Sequence, residues 1–203
     1  GAPKRLQIWK QSSKNFKVAD ASIAMDNKVA VLTANYLLAA GNLYIVTYKI
    51  YPSGVVKVDA RFTSADMQVA ESEVSEATRT ATFTPGNDAA RKAAAKLNVP
   101  RIGVRFRLPA EMNVVEYFGR GPEENYIDRN AGTLIGLYKT TADKMYYNYV
   151  RPQENGHHTD TRWLSLSKKG GKGLTIVADS IIGFNALRNS IEDFDSEEAL
   201  PHP

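Results

Sequence analysis

Thirteen consecutive residues, "RPQENGHHTDTRW" (151–163), gather two arginines, a glutamate, an aspartate, two histidines and a tryptophan. A second polar segment, "EYFGRGPEENYIDRN" (116–130), crowds Arg120, Glu123, Glu124, Asp128 and Arg129 around a Gly-Arg-Gly-Pro turn. Its glycines let the backbone pass close to a neighbour, and Pro122 stiffens the exit. Both segments place an asparagine directly after an acid, as Glu124-Asn125 and Glu154-Asn155. Two carboxylates about 5–10 Å apart can hydrolyse a glycoside, which Glu124 and Glu154 would do only if the two segments met. His157 and His158 titrate near neutrality and could act as general acid or base, but exposed loop histidines are the plainer reading. As a metal pair they fail, because neighbours on a strand point to opposite faces. Arg151, Arg162 and Trp163 suit sugar recognition, with planar polar groups on hydroxyls and an indole under a ring face. They equally suit a clamp in which arginine–carboxylate pairs lock loop to sheet and Trp163 enters the core.

The elements that must position these groups follow a period of two. In 42–63, Tyr44, Val46, Tyr48 and Ile50 share one face, and after "YPSG" Val56, Val58, Ala60 and Phe62 alternate with Lys57, Asp59 and Arg61. That is a β-hairpin, with Pro52 and Gly54 shaping its turn. Ile102, Val104, Phe106 and Leu108 alternate with Arg101, Arg105 and Arg107, which predicts another strand with a solvated arginine face. Further strands are expected at 113–119, 133–139, 162–167 and 173–179, the last two joined by Gly-rich "KKGGKG" (168–173). This is no phosphate loop, because a β-branched strand and not a helix follows it. The N-terminal stretches "LQIWK", "FKVAD", "ASIAMD" and "KVAVLTANYLL" also read as strands. Short helices are expected at 86–100 and from 194. The pattern predicts an all-β, large antiparallel β-sandwich with few short helices, as one domain over 1–203.

Composition narrows the function. The chain has 203 residues, 43% hydrophobic and 24% charged, which suits a globular protein with a sizeable core. A net charge of +4, from 26 basic and 22 acidic residues, gives no basic platform for nucleic acid. Cysteine is absent, which excludes disulfides and thiolate metal sites but leaves cytoplasmic and periplasmic locations both open. No apolar run is long enough to span a membrane, so a soluble protein is expected. The Gly-Ala-Pro start reads as processed or engineered, and the chain as a piece of a longer polypeptide.

The two polar segments carry a resemblance. "YFGRGPEENYIDRNAG" and "YVRPQENGHHTDTRWLSL" resemble the C-terminal β-sandwich domain of large bacterial β-galactosidases of glycoside hydrolase family 2. The matching residues are Gly119, Gly121, Pro122, Glu124, Asn125, Tyr126, Asp128 and Arg129, then Pro152, Glu154, Asn155, Gly156 and Arg162. The resemblance implies a supersandwich similar to galactose mutarotase, set beside a (β/α)₈ barrel that carries both catalytic glutamates. This chain shows no alternating βα pattern, so no catalytic residue is expected in it. A Gly-Gly-Asp-Asp-Ser-Trp-like segment that lends a tryptophan to the family's sugar pocket is also missing, which suggests truncation on the C-terminal side. The resemblance implies no cofactor in this chain, though parent enzymes use Mg²⁺ or Na⁺ through residues mainly outside it. The partners it implies are the barrel and other domains of a parent that can be homo-oligomeric, and a galactoside. Charge balance suggests that Arg120, Glu124, Asn125, Asp128, Arg129, Arg151, Glu154, Asn155 and Arg162 form a network between the two loops, facing the barrel. A stand-alone carbohydrate-binding module is the alternative, followed by a mutarotase-like epimerase using His157, His158 and Glu154.

Overall fold

The computed structural model describes residues 15–64, 101–150 and 154–194, together with Trp9 and Val99. The helix expected at 86–100 and nearly all of the one expected from 194 lie outside the described residues, as does most of "LQIWK". The chain divides into two compact units, Gly1–Val104 and Arg105–Pro203. Each holds one four-stranded antiparallel sheet, and the remaining described elements are three short 3-10 turns.

The first unit is a meander of β1 (Lys17–Asp26), β2 (Val29–Leu37), β3 (Leu43–Ile50) and β4 (Val56–Thr63). "FKVAD" and "ASIAMD" belong to one strand, β1, whose pairing with β2 shifts between Val18 and Asp20. Its hairpin to β2 turns at Asn27 and Lys28, both at positive φ (45° and 68°), the backbone that a two-residue hairpin of right-handed twist demands. The 42–63 hairpin forms in the expected register: Tyr44 faces Phe62, Val46 faces Ala60, Tyr48 faces Val58 and Ile50 faces Val56. Gly54, at φ 84°, closes its loop by donating its N–H to the Tyr51 carbonyl at 2.9 Å. Ala34 and Val46 are buried on the apolar face, while Thr33 and Thr47 share a 3.3 Å hydrogen bond on the other.

In the second unit the sheet order is β6-β5-β7-β8, from β5 (Val114–Gly121), β6 (Leu134–Thr141), β7 (His157–Ser167) and β8 (Gly173–Asn185). Burial along β5 alternates strictly, with Val115, Tyr117, Gly119 and Gly121 inward. Val115, Tyr117, Leu164 and Phe184 make the core, closed by Ala142, Met145 and Ala186 from the connections. Tyr117 sits between the rings of Tyr138 and Phe184, 5.4 and 5.1 Å away. The 168–172 turn joins β7 to β8 as expected, with Gly170 at φ 65°.

One expected strand does not form. Residues 101–109 join no ladder, and Ile102, Val104 and Phe106 are exposed. Alternation supplies a strand with a face, but a ladder also needs a neighbour to accept its backbone groups. Arg105 instead forms a two-pronged pair with Glu192, at 2.9 and 2.8 Å.

Candidate functional site

The two polar segments leave the end of β5 and enter the start of β7, which run antiparallel as neighbours. Gly119 permits this approach. A Cβ there would lie 2.9 Å from the Thr161 Cα, where no real side chain fits. Beyond β5 the Gly121–Pro122 peptide is cis, and the chain folds back so that the Asn125 N–H donates to the His157 carbonyl at 2.7 Å.

Asn125 is fully buried and uses its whole amide. Its Oδ1 accepts from the Thr159 N–H (2.9 Å) and hydroxyl (2.6 Å), and its Nδ2 donates to the carbonyls of Arg120 (3.2 Å) and Glu123 (3.1 Å). Asn155, also buried, clasps one residue on both sides. Its Oδ1 accepts from the Tyr147 N–H at 2.8 Å and its Nδ2 donates to the Tyr147 carbonyl at 2.6 Å. An amide can do this because it carries a donor and an acceptor side by side, as a backbone peptide does.

Glu124 is the one buried carboxylate of the set. It accepts from the Gly156 N–H at 2.8 Å, the Tyr126 hydroxyl at 3.1 Å and Arg129 Nη2 at 2.8 Å. Gly156 lies at φ 63°, and a Cβ there would strike the Met145 carbonyl. Arg129 also reaches the Tyr149 hydroxyl at 3.1 Å, and its guanidinium lies 5.3 Å above the Tyr126 ring. Burial, and then the charge of Glu124, push the Tyr126 hydroxyl far above its ordinary pKa. Tyr147 is shifted upward too, by burial and by its hydrogen bond to Glu123. With three donors on it, one from the second segment, Glu124 anchors the two segments to each other.

The histidines lie on β7, not in an exposed loop. His158 is only 2% exposed, stacked on Phe184 at 5.3 Å and edge-on to Tyr117 at 5.0 Å. Its ring nitrogens face the carbonyls of Gly156 (3.2 Å) and Pro122 (3.3 Å). Burial lowers its pKa, against the opposing pull of those carbonyls. The half-buried His157 points the other way, stacked on Tyr126 at 5.6 Å, with Nδ1 donating to Asn185 Oδ1 at 2.8 Å.

Arg120 and Arg162 form a second group. Arg120 Nε pairs with Asp160 at 2.5 Å, and Nη1 donates to the Thr133 carbonyl at 2.8 Å. Arg162 donates to the Asp160 carbonyl at 2.5 Å and lies 5.7 Å over the Phe118 ring. Trp163 is half-buried and stays out of the core, because the neighbouring Leu164 takes the inward position. Asp128 and Glu154 are exposed, and Arg151 lies outside the described residues. The two segments are therefore joined by Asn125 to Thr159 and His157, by Glu124 to the Gly156 N–H and by the Arg120–Asp160 ion pair, while Glu124–Arg129 is a pair within the first segment. Tyr147, Thr159, Asp160 and Asn185 complete these contacts and were not singled out from the sequence. The tyrosine-rich "YYNY" (146–149) was the available signal for the first of them. Among the described residues no group of three or more His, Cys, Asp or Glu could hold a metal ion, and no helix is long and apolar enough to cross a membrane.

Both sheets are all-β and antiparallel, and the buried polar groups of the paired loops are bonded to one another and to the backbone. Residues 2–203 match the family model described as "Beta galactosidase small chain", and the chain belongs to that family. It is 40% identical over 122 residues to a β-galactosidase of Arthrobacter sp. (strain B7), covering 57% of this chain and 12% of that protein. It is 27% identical over 202 residues to the β-galactosidase of Priestia megaterium, covering 97% of this chain and 17% of that protein. The Streptococcus thermophilus β-galactosidase gives 27% over 199 residues, again 97% and 17%. The chain thus spans about a sixth or less of the length of these relatives.

Proposed function

We propose that this chain is the accessory C-terminal domain of a β-galactosidase. It supports hydrolysis of terminal β-D-galactosides by the larger enzyme and breaks no glycosidic bond itself. The observation that carries this reading is the family match over residues 2–203, in relatives about five to six times longer. The bonding of Glu124 agrees with it, since its oxygens are held by Gly156, Tyr126 and Arg129. In this reading the domain has a large sandwich fold of the galactose-mutarotase type, and the two loops face the catalytic barrel. The chain needs no cofactor of its own.

An NMR titration of the labelled chain with lactose tests the proposal. Intact lactose and silent protein signals are expected. Cleavage would place catalytic groups in this chain and overturn the reading. Shifts around Arg162 and Trp163 without cleavage would make the chain a carbohydrate-binding module instead.

A further inference from the structure

Asn155–Gly156 is the only Asn-Gly pair in the chain. That dipeptide is the one most prone to lose ammonia. Glycine has no Cβ to shield its backbone nitrogen, so the nitrogen reaches the preceding carboxamide carbon freely. The structure holds both reacting groups. The Asn155 carboxamide, 1% exposed, accepts from the Tyr147 N–H at 2.8 Å and donates to the Tyr147 carbonyl at 2.6 Å. The Gly156 N–H is given to Glu124 at 2.8 Å, and its backbone packs against the Met145 carbonyl. Asn185 Nδ2 of β8 closes the corner by donating to the Asn155 carbonyl at 2.5 Å.

We propose that Asn155 is a deamidation site that the fold keeps shut, and that opening of this corner releases it in one direction. In the open corner the Gly156 nitrogen attacks Asn155 Cγ. An N–Cγ bond forms, the Cγ–Nδ2 bond breaks, and ammonia leaves with the proton that the nitrogen gives up. Solvent water then opens the succinimide ring. Addition at Cγ leaves aspartate, and addition at the main-chain carbonyl carbon leaves isoaspartate. The net change is water in and ammonia out, with nothing oxidised or reduced. Closed, each step is denied. The attacking nitrogen must lose its proton, and the negative Glu124 carboxylate against it opposes the anion. The carboxamide must turn out of its plane, which breaks both bonds to Tyr147. Hydrolysis needs water at a residue that is buried. Neither product fits back. Aspartate turns a carboxylate oxygen toward the Tyr147 carbonyl, two acceptors opposed in a buried site. Isoaspartate lengthens the backbone by a methylene and moves Gly156 off Glu124. A chain that has opened and reacted therefore stays marked.

The test incubates the 203-residue chain at mildly alkaline pH, native and in urea, and reads each asparagine by peptide mass spectrometry. Asn189, exposed in the turn after β8 and followed by Ser190, is the internal reference. In urea Asn155 should react ahead of Asn189. In the native chain the order should invert, with Asn155 slowed by ~100-fold or more against its rate in urea, because only the rare open state reacts. A native rate equal to that in urea would overturn the gate, and an Asn155 slower than Asn189 even in urea would overturn the site. Asn155→Asp, the aspartate product made by substitution, tests the one-way step. Hydrogen exchange at the Tyr147 N–H should quicken by about tenfold or more. Exchange as slow as in the unsubstituted chain would show the product closing normally and overturn that step. The comparison of native chain with urea decides the gate whether or not this variant folds.

Discussion

Asn125→Ala should be among the most damaging single changes in the second unit. The side chain is fully buried and makes four hydrogen bonds, to Thr159 N, Thr159 Oγ1, the Arg120 carbonyl and the Glu123 carbonyl. At about 1 kcal/mol net for each bond the loss is ~4 kcal/mol. Buried groups left without partners raise that figure, and a water entering the cavity lowers it. The balance is about 3 kcal/mol. For a cooperative unit of this size that corresponds to a fall in Tm of roughly 10–20 °C. Urea denaturation of the chain, followed by tryptophan fluorescence, measures it. Asp128→Ala, at an exposed position three residues along, is the control and should stay within about 0.5 kcal/mol. Asn125→Asp sharpens the test. It keeps the acceptor toward Thr159 but turns a carboxylate oxygen toward two carbonyls, so its folded pKa must rise. Stability in that variant is retained below the unfolded value near 3.9 and lost as pH rises through the folded value. A loss under about 1 kcal/mol for Asn125→Ala, or an Asn125→Asp variant as stable as wild type at pH 7, would refute the reasoning.

Gly156→Ala should cost about 2 kcal/mol or more, because φ 63° strains an L side chain and its Cβ would meet the Met145 carbonyl; calorimetry reads the loss. His158 has a folded pKa below 6.5, so its contribution is present above pH 6.5 and is lost as pH falls toward the folded value. His158→Phe should therefore flatten the Tm–pH curve on the acid side of 6.5, and an unchanged slope would count against the burial argument. Glu124→Gln should cost about 2–3 kcal/mol, since the new amide N–H₂ must face Arg129 or one of the other two donors, Gly156 N–H and the Tyr126 hydroxyl; denaturant titration checks it.

How much of this was legible in the sequence depends on whether a residue's partner is local. The 42–63 hairpin was readable because period-two alternation and a Pro-Ser-Gly turn both lie within one short stretch. The 101–108 alternation is as regular, yet no ladder forms, because strand pairing is a property of the neighbour. The start of β7 was hidden for another reason. Asp160 sits at φ 51°, and the pairing with β8 shifts between His158 and Thr161 and again before Trp163. Burial there does not alternate, so His158 looked like a loop residue while lying in the core.

The loops show the same division. Their composition suggested arginine–carboxylate pairing, and two such pairs exist. The most buried bonding, however, runs through Asn125 to the backbone and hydroxyl of Thr159 and through Asn155 to the backbone of Tyr147. Backbone groups have no sequence signature, so no charge count could have found these partners. The repeated Glu-Asn pair gains a physical reading from this. In both loops the asparagine does the same work, acting as a substitute peptide group where the chain leaves its ladder. The two glutamates diverge, Glu124 being buried against Gly156 and Arg129 while Glu154 is exposed. A paired-carboxylate reading gave the two glutamates equal weight. The bonding gives the equal weight to the two asparagines, and Asn125, with four bonds to lose, is the one whose removal costs most.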